Sequence, residues 1–246
     1  MPHLPLSTLP AIPGGWQLQR VQLPNAAFQL KVPALPDAVL DEAVERLDGS
    51  DTEITPYWAC LWPTAPAMAA CVLQGSWPRG ARTLEIGCGM GLVGIAGLAA
   101  GLQVTFSDHI PQAVQLASHN ATLNQFSEHQ TLHLDWHHPI NEKFEVLLAN
   151  DILYDDREHT HILDVIRHML TPTGTCWIGD PCRSQSPQFI ERAVAANLKV
   201  EIVSPDDMQW SQSLRALSGP AKFQLIKLMQ DTASSSSSRT AEPSAT

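Results

Sequence analysis

One stretch of the chain, residues 82–96, constrains the fold more than any other and has the sequence RTLEIGCGMGLVGIA. A short apolar strand at 83–86 is followed by alternating glycines and then by an apolar helix. Glycine allows the backbone to take a positive φ and lets a ligand approach it closely. The helix that follows offers unpaired N–H groups and a partial positive charge at its start. The stretch therefore predicts a nucleotide-type pocket at the carboxyl end of a parallel strand.

The glycines fit two different nucleotide patterns. In the first, Gly89-x-Gly91-x-x-Gly94 is a dinucleotide fingerprint, and Asp108 follows about 20 residues later, where a ribose-binding acid is expected. The second pattern begins earlier, as Glu85-x-Gly87-x-Gly89-x-Gly91, with an acidic residue where dehydrogenases usually carry an apolar one. A plain glycine-rich turn is disfavoured, because isolated glycines are ambiguous but several in order after a strand are not.

Length and charge limit the classes of protein that fit. A chain of 246 residues is long enough for one sizeable α/β domain or at most two small ones. The net charge of −10 argues against a basic face that binds phosphates, so a nucleic-acid substrate is disfavoured. No apolar run approaches the ~20 residues of a membrane helix. The first residues lack the basic segment and apolar core of a signal peptide. We therefore expect a cytoplasmic protein with no membrane contact.

The cysteines and histidines do not form a metal-binding pattern. Five cysteines are an odd number and show no C-x-x-C spacing, which predicts reduced thiols. His159 and His161 are two residues apart, so on a helix they would not share a face. We expect no metal site.

The chain divides into three parts. Residues 1–50 contain two alternating apolar and polar segments, Trp16–Leu23 and Ala26–Val32, which predict a β-hairpin after a loose arm. Residues 51–230 form the main domain. Residues 231–246 contain five consecutive serines and no bulky apolar side chain, so this tail is predicted to be disordered.

Strand and helix patterns alternate from residue 83 to about 200, which predicts a doubly wound, mostly parallel α/β sheet of seven strands. The predicted strands are 83–86, 103–106, 131–134, 144–149, 175–178, 200–203 and 223–228. The apolar run at 144–149 is typical of a central strand buried on both faces. After it, Asp155 or Asp156 is expected to cap a helix with an apolar stripe.

Acidic residues follow four successive strands of this predicted sheet. They are Glu85 with Gly87, Asp108, Asp135 with Trp136, and Asn150 with Asp151. A single such acid is usually a helix cap or a solvated loop residue, but ligands of doubly wound sheets bind past the carboxyl ends of the strands. Four in register predict one shared ligand. An aromatic segment at 56–63 has two possible roles: Trp58 and Trp62 either cover the core or form a wall of the pocket and its channel.

Residues 55–185 resemble the lysine-methyltransferase branch of the class I, seven-strand methyltransferases. Within it they are similar to the enzymes that methylate the β-subunit of electron-transfer flavoprotein and to bacterial proteins named nicotinamide N-methyltransferase-like. The motifs that carry the likeness are PYWAxLWP at 56–63, the glycine loop from Glu85 to Gly91, Asp135-Trp136, and Asn150-Asp151-Ile152-x-Tyr154. The first 50 residues and those after 205, where acceptor choice often resides, are too generic to match.

The resemblance implies S-adenosylmethionine as the cofactor and assigns a role to each matched position. Asp151 and Tyr154 would face the methyl acceptor as the catalytic pair. The residues implied in cofactor binding are Trp58, Glu85, Gly87, Gly89, Gly91, Asp108 (ribose), Asp135 and Trp136 (adenine), and Asn150. The implied acceptor is a lysine of a protein substrate or a small amine such as nicotinamide, and the implied state is a monomer.

Two other functions stay open at this stage. A nicotinamide-dependent oxidoreductase would need a proton donor such as Tyr-x-x-x-Lys, yet neither Tyr57 nor Tyr154 has a lysine four residues on. A cofactor-binding module without catalysis is the other alternative, against which the intact Asp151 and Tyr154 argue.

Overall fold

The computed structural model describes residues 9–45, 56–204, 216–217 and 222–231. Within these ranges the chain forms a seven-stranded sheet with helices on both faces and a separate N-terminal hairpin. The strands are β1 Trp16–Gln22, β2 Ala27–Pro33, β3 Arg82–Ile86, β4 Gln103–Asp108, β5 Gln130–His133, β6 Phe144–Asn150, β7 Leu170–Asp180, β8 Leu198–Val203 and β9 Gln224–Gln230. The α-helices are α1 Pro36–Glu45, α2 Ala65–Gln74, α3 Leu92–Ala99, α4 Pro111–Leu123, α5 His159–Met169 and α6 Ser186–Ala195, and Tyr57–Ala59 form a 3₁₀ turn.

The order of strands in the sheet is β5-β4-β3-β6-β7-β9-β8. The pairs from β5 through to β7 are parallel, and β9 runs antiparallel to both β7 and β8. The chain adds strands on one side of β3 and then crosses to add β6 on the other. This reversal opens a crevice at the carboxyl ends of the central strands. The predicted doubly wound, mostly parallel seven-stranded sheet is confirmed. When the strands of this sheet are numbered in chain order from β3, their order is 3-2-1-4-5-7-6. The usual dinucleotide-binding order is 3-2-1-4-5-6, which lacks the antiparallel strand that β9 adds between β7 and β8.

The central strands are buried because their apolar side chains pack against helices on both faces. Leu84 and Ile86 point to one face and pack with α5, while Val104 and Phe106 point to the other and pack with α3 and α4. Helix α3 is buried along nearly its whole length, as its apolar sequence requires. The core therefore holds β3 and its glycine loop rigidly at the middle of the sheet.

The predicted hairpin forms and is fixed to α4 by two asparagines one turn apart. Asn124 accepts a hydrogen bond from the backbone N–H of Gln29 at 2.9 Å and donates to its carbonyl oxygen at 2.7 Å. Asn120 makes the same pair of bonds with Lys31, at 2.7 and 3.2 Å, and also donates to the carbonyl oxygen of Met90 at 3.0 Å. The two side chains thus pair with β2 as a neighbouring strand would, and Asn120 connects the hairpin to the glycine loop.

Some boundaries differ from the sequence-based expectation. The predicted cap at Asp155 or Asp156 is wrong, because α5 begins at His159 with Glu158 at the N-cap position. Asp155 instead accepts hydrogen bonds from the backbone and side chain of Arg157, which closes a turn ahead of the helix. Strand β7 is longer than predicted, since α5 ends at Met169 and the strand begins at the next residue.

Two predicted features lie largely outside the described residues: the arm before residue 9 and the tail after Asp231. None of the helices in the described ranges has both the length and the apolar character needed to span a bilayer. The five cysteines are all unpaired.

Candidate active site

A cavity of about 980 Å³ opens at the carboxyl ends of β3, β4, β5 and β6. Its volume is at the upper end of the roughly 300–1,000 Å³ usual for small-molecule and cofactor sites. Every residue that the sequence assigned to the site lines this cavity: Trp58, Glu85, Gly87, Gly89, Gly91, Asp108, Asp135, Trp136, Asn150, Asp151 and Tyr154. The four strand ends therefore meet at one place, as predicted, and the individual roles of the side chains stay predictions.

The floor of the cavity is the glycine loop between β3 and α3. Gly87 has a φ of +63° and Gly91 a φ of +79°, which side chains rarely adopt. A Cβ at Gly91 would also lie 2.7 Å from the Cβ of Ala117, so α4 can pack closely under the loop only because glycine stands there. Gly91 is the N-cap of α3, whose first N–H groups thus begin at the cavity.

Glu85 lies beneath this loop and is 3% exposed. Burial raises the pKa of its carboxyl to about 8, the backbone N–H of Gly94 acts in the opposite direction, and the charge of Asp108 raises it further. Its Oε2 atom is buried and has no hydrogen-bond partner among the described residues. A buried polar atom without a partner requires an explanation, and a bound ligand is one.

Asp108 joins the glycine loop to the start of α4. Its Oδ2 accepts a hydrogen bond from the backbone N–H of Gly89 at 3.1 Å, and its Oδ1 accepts one from Ile110 at 3.0 Å. His109 Nδ1 lies 3.4 Å from the same Oδ1. The hydrogen bond to Asp108 raises the pKa of His109, although partial burial acts to lower it. Asp108 is thus held rigidly at the cavity wall with little exposure.

Asp135 and Trp136 form a second part of the wall, after β5. The carboxylate of Asp135 accepts a hydrogen bond from the backbone of His137 at 2.9 Å and contacts His138 Nδ1 at 3.1 Å. Partial burial acts to raise the pKa of Asp135, but these bonds and the nearby imidazoles leave it below its ordinary value. Trp136 is 9% exposed, and its ring lies 6.4 Å from the His109 ring, so two aromatic side chains border this part of the cavity.

Asp151 and Tyr154 line the cavity after β6. Asp151 has a φ of +58°, and its N–H donates to the carbonyl oxygen of Gly179 at 2.8 Å. Arg183 Nε and Nη2 each lie 2.6 Å from Asp151 Oδ1. Burial raises the pKa of Asp151, the Arg183 guanidinium acts to lower it, and Asp180 raises it. The Tyr154 ring lies 5.2 Å from the Tyr57 ring, and burial is the main reason that its pKa rises to about 12.

The aromatic segment before α2 lines the cavity, and one of its rings also contacts the hairpin. Trp58 and Trp62 both border the cavity. The Trp58 ring lies 6.5 Å from that of Trp16, and Trp58 also packs against the core, so it covers the core as well as bordering the cavity, while its role toward a ligand stays a prediction. Trp62 donates from its indole nitrogen to the carbonyl oxygen of Tyr57 at 3.1 Å.

Sequence reasoning missed Tyr57 and Arg183. Tyr57 lies inside the aromatic segment at 56–63, and that segment is the signal that points to it. Arg183 follows β7, the next strand of the sheet after β6, so extending the strand-end rule by one strand would have found it.

The two histidines considered as a metal pair have different neighbours. His159 packs against the Phe189 ring at 5.3 Å, whereas His161 faces the His137 ring at 4.0 Å. Within the described part of the chain, no three His, Cys, Asp or Glu side chains are grouped as metal ligands.

A solved structure that superposes on this chain identifies the class of fold. The N-methyltransferase NodS from Bradyrhizobium japonicum, in complex with S-adenosyl-L-homocysteine, superposes with a TM-score of 0.53 at 18% identity, over 78% of this chain and 98% of that one. The fold is that of the Rossmann-like class I methyltransferases.

Sequence comparison then gives the family. A family model described as lysine methyltransferase matches residues 60–194, more than half of the chain, and the chain belongs to that family. Among curated relatives, EEF1A lysine methyltransferase 3 of Mus musculus is 26% identical over 136 residues, covering 52% of this chain and 58% of its own length. Electron transfer flavoprotein beta subunit lysine methyltransferase of Xenopus laevis is 29% identical over 136 residues, covering 53% and 54%. The chain thus spans little more than half the length of these two relatives.

Proposed function

We propose that the protein transfers a methyl group from S-adenosylmethionine to a lysine side chain of a protein substrate. One observation carries the proposal: acidic residues from four neighbouring strand ends border a single cavity above the glycine loop, in a chain of the lysine methyltransferase family. Two relatives named for lysine methylation of proteins, one acting on EEF1A and one on electron transfer flavoprotein, support the choice of a protein acceptor.

The residues at the floor of the cavity fit the cofactor. Glu85 Oε2 and Asn150 Oδ1 are buried polar atoms without partners among the described residues, so each is available to a polar group of a ligand. We assign Asp108 to the ribose hydroxyls, Asp135 and Trp136 to the adenine, and the glycine loop to the methionine portion. Trp58 offers an aromatic face to a sulfonium cation, a contact worth about 0.5–2 kcal/mol depending on desolvation.

The chemistry requires a neutral amine held in line with the methyl group. S-adenosylmethionine supplies an activated methyl group that such an amine accepts without a covalent enzyme intermediate. A free lysine has a pKa of ~10.4, so the acceptor pocket must desolvate the ammonium and favour loss of its proton. Asp151 orients the amine, while Tyr154 borders its channel. Alignment of the reacting atoms supplies several kcal/mol of the barrier reduction.

The charge of the cavity favours a basic acceptor surface. Apart from the buried Glu85, the acidic side chains that line it outnumber the Lys and Arg side chains among the described residues: Asp108, Asp135, Asp151, Asp155, Asp156 and Glu158, against Arg157. Asp156 is exposed at the rim. A negative rim attracts a lysine-rich segment and raises its rate of encounter. A small heteroaromatic amine would draw little benefit from this rim, which is why a protein lysine is the preferred acceptor.

Two experiments test the proposal. Calorimetric titration with S-adenosylhomocysteine should give a saturable isotherm, while NAD and NADP should give none; the reverse pattern would make the protein a nicotinamide-dependent oxidoreductase. Transfer of radiolabelled methyl groups into a lysate from a deletion strain, followed by peptide mass spectrometry, should then locate methyl-lysine. Labelling only of small amines would refute the protein acceptor, and binding without any transfer would indicate a non-catalytic module.

Four broader assignments belong to the same proposal. We infer a monomer in the cytoplasm that does not bind nucleic acid, with a methyltransferase domain at 51–230. The net charge of −10 supports the absence of nucleic-acid binding, and the family match at 60–194 lies inside the assigned domain. Light scattering after size exclusion measures the oligomeric state directly.

A further inference from the structure

We propose that Arg183 is a positioning residue of the acceptor site: it holds the Asp151 carboxylate by one oxygen and leaves the other for the substrate amine. This inference rests on the proposed methyl transfer to lysine, and it adds a residue from a strand end that the sequence motifs do not include.

The contacts between the two side chains carry the first step. Arg183 Nε and Nη2 both approach Oδ1 of Asp151, each at 2.6 Å. Within the described residues, the hydrogen bonds of the Asp151 carboxylate all go to Oδ1. The Asp151 side chain is 3% exposed and that of Arg183 is 27% exposed. A carboxylate buried to this extent needs a charged partner to stay ionised, and the guanidinium provides it from the solvent side.

Hydrogen bonds also fix the segment that carries Arg183, so the fold defines the position of its guanidinium. Asp180 is fully buried, and its Oδ1 accepts hydrogen bonds from the backbone N–H of Arg183 at 3.2 Å, from Ser186 Oγ at 2.7 Å and from Gln224 Nε2 at 2.8 Å. These bonds tie the turn after β7 to both α6 and β9. The Arg183 guanidinium also lies over the Tyr154 ring, 6.0 Å from its centre.

Asp151 is fixed from its backbone as well. Its left-handed φ of +58° and the hydrogen bond to Gly179 direct the side chain from the end of β6. With Oδ1 occupied by Arg183, the carboxylate cannot rotate freely, and Oδ2 is left to accept a hydrogen bond from the incoming amine. The guanidinium has a second effect, because a positive charge close to a bound ammonium lowers the pKa of that ammonium. Arg183 thus favours the neutral, nucleophilic form of the acceptor.

The hold on Asp151 can be tested without methyl transfer, by a double-mutant cycle of R183M and D151N. Urea unfolding of the apo protein should show that R183M lowers the midpoint more at pH 7 than at pH 4, since loss of the guanidinium raises the pKa of Asp151 in the folded state further and so disfavours its carboxylate form there. In the D151N background, R183M should lower the midpoint equally at both pH values. This background also controls for Asp180, the other carboxyl near Asp151. A loss in midpoint that is independent of pH in both backgrounds would overturn the inference.

The kinetics of methyl transfer to the lysine substrate located by mass spectrometry test the positioning role itself. R183M should lower kcat at least tenfold and move the acidic limb of the pH profile to higher pH, whereas R183K should restore part of kcat. Affinity for S-adenosylhomocysteine should be unchanged in both variants. A higher kcat/KM for R183M would mean that Arg183 blocks the acceptor site, which refutes the inference. Absence of lysine methylation by the unaltered protein refutes the proposed function instead, and the unfolding cycle then decides the Arg183 contact alone.

Discussion

Gly94 lies directly against Glu85, so closely that a Cβ at position 94 would overlap Glu85 Oε2. The same Cβ would lie 2.5 Å from Phe106 Cε1. Gly94 is the last glycine of the dinucleotide-like pattern, and here its function is to give the Glu85 carboxyl room beneath the glycine loop. Because Gly94 has no side chain, the carboxyl of Glu85 can lie against α3.

Replacing Gly94 by alanine should destabilise the protein by about 1–3 kcal/mol, because overpacking forces neighbouring side chains out of place. Urea unfolding measures the loss. Gly97→Ala is the matched control on the same helix, since its Cβ would meet nothing closer than Val104 Cγ2 at 3.2 Å. If both variants lose the same stability, the crowding at Glu85 is not the cause.

The unfolding free energy of the apo protein should fall as the pH rises from about 5 to 8. The pKa of Glu85 is about 8 in the folded protein, against an ordinary value of 4.5. Between these two values the unfolded chain ionises this carboxyl and the folded one keeps it protonated, so rising pH favours unfolding. The loss is on the order of a few kcal/mol, since each unit of pKa difference corresponds to ~1.4 kcal/mol.

Glu85→Gln should flatten this pH dependence, because glutamine keeps the shape of the side chain and does not titrate. Chemical unfolding of both proteins at several pH values makes the comparison. An equally steep fall in the variant would assign the effect to another group.

Asp108→Ala should weaken binding of S-adenosylhomocysteine at least tenfold, as followed by calorimetry. The substitution removes both the assigned ribose contact and the hydrogen bonds that hold Gly89 and Ile110. Glu128→Ala is a suitable control, since Glu128 is exposed and lies before β5, at the far end of that strand from the cavity. Unchanged affinity for Asp108→Ala would remove Asp108 from the cofactor site.

Asp151→Asn should lower methyl transfer by roughly a hundredfold or more, because a misaligned amine loses much of the benefit of its position. Asparagine suits this site better than alanine, since it tolerates the left-handed φ of +58°. Affinity for S-adenosylhomocysteine should stay the same, and Asp156→Asn at the exposed rim should change turnover little. Turnover of Asp151→Asn within a few-fold of the unaltered protein would contradict the assignment.

The sheet was predictable because its strands are local signals. The run at 144–149 is apolar throughout, and such a run between turn residues is typical of a central parallel strand. Once the strands were known, their carboxyl ends identified the residues around the cavity, from Glu85 to Asp151. The alternation of strand and helix patterns predicts a parallel sheet. In such a sheet the carboxyl ends of neighbouring strands lie at one edge, so the acids after them lie together.

Other features of the site depend on contacts that no local pattern encodes. Arg183 meets Asp151 across 32 residues of chain, and nothing beside Arg183 in the sequence marks that contact. By type, Asn120 and Asn124 are ordinary polar residues of a helix, and only their bonds to β2 in the folded protein show their purpose. The predicted start of α5 is too early because Asp155 is a good capping residue by type, yet it binds Arg157 instead.

The bonds of Asn120 have a consequence for shortened versions of the chain. Residues 60–194 carry the family match, but the hairpin that precedes them shares one asparagine with the carbonyl of Met90 in the glycine loop. Deleting the hairpin would leave the buried amide of Asn120 without its bonds to Lys31 and would uncover apolar side chains such as Leu30. A fragment that lacks only the hairpin should accordingly bind its cofactor less tightly than the longer chain, although every residue assigned to the cofactor is retained.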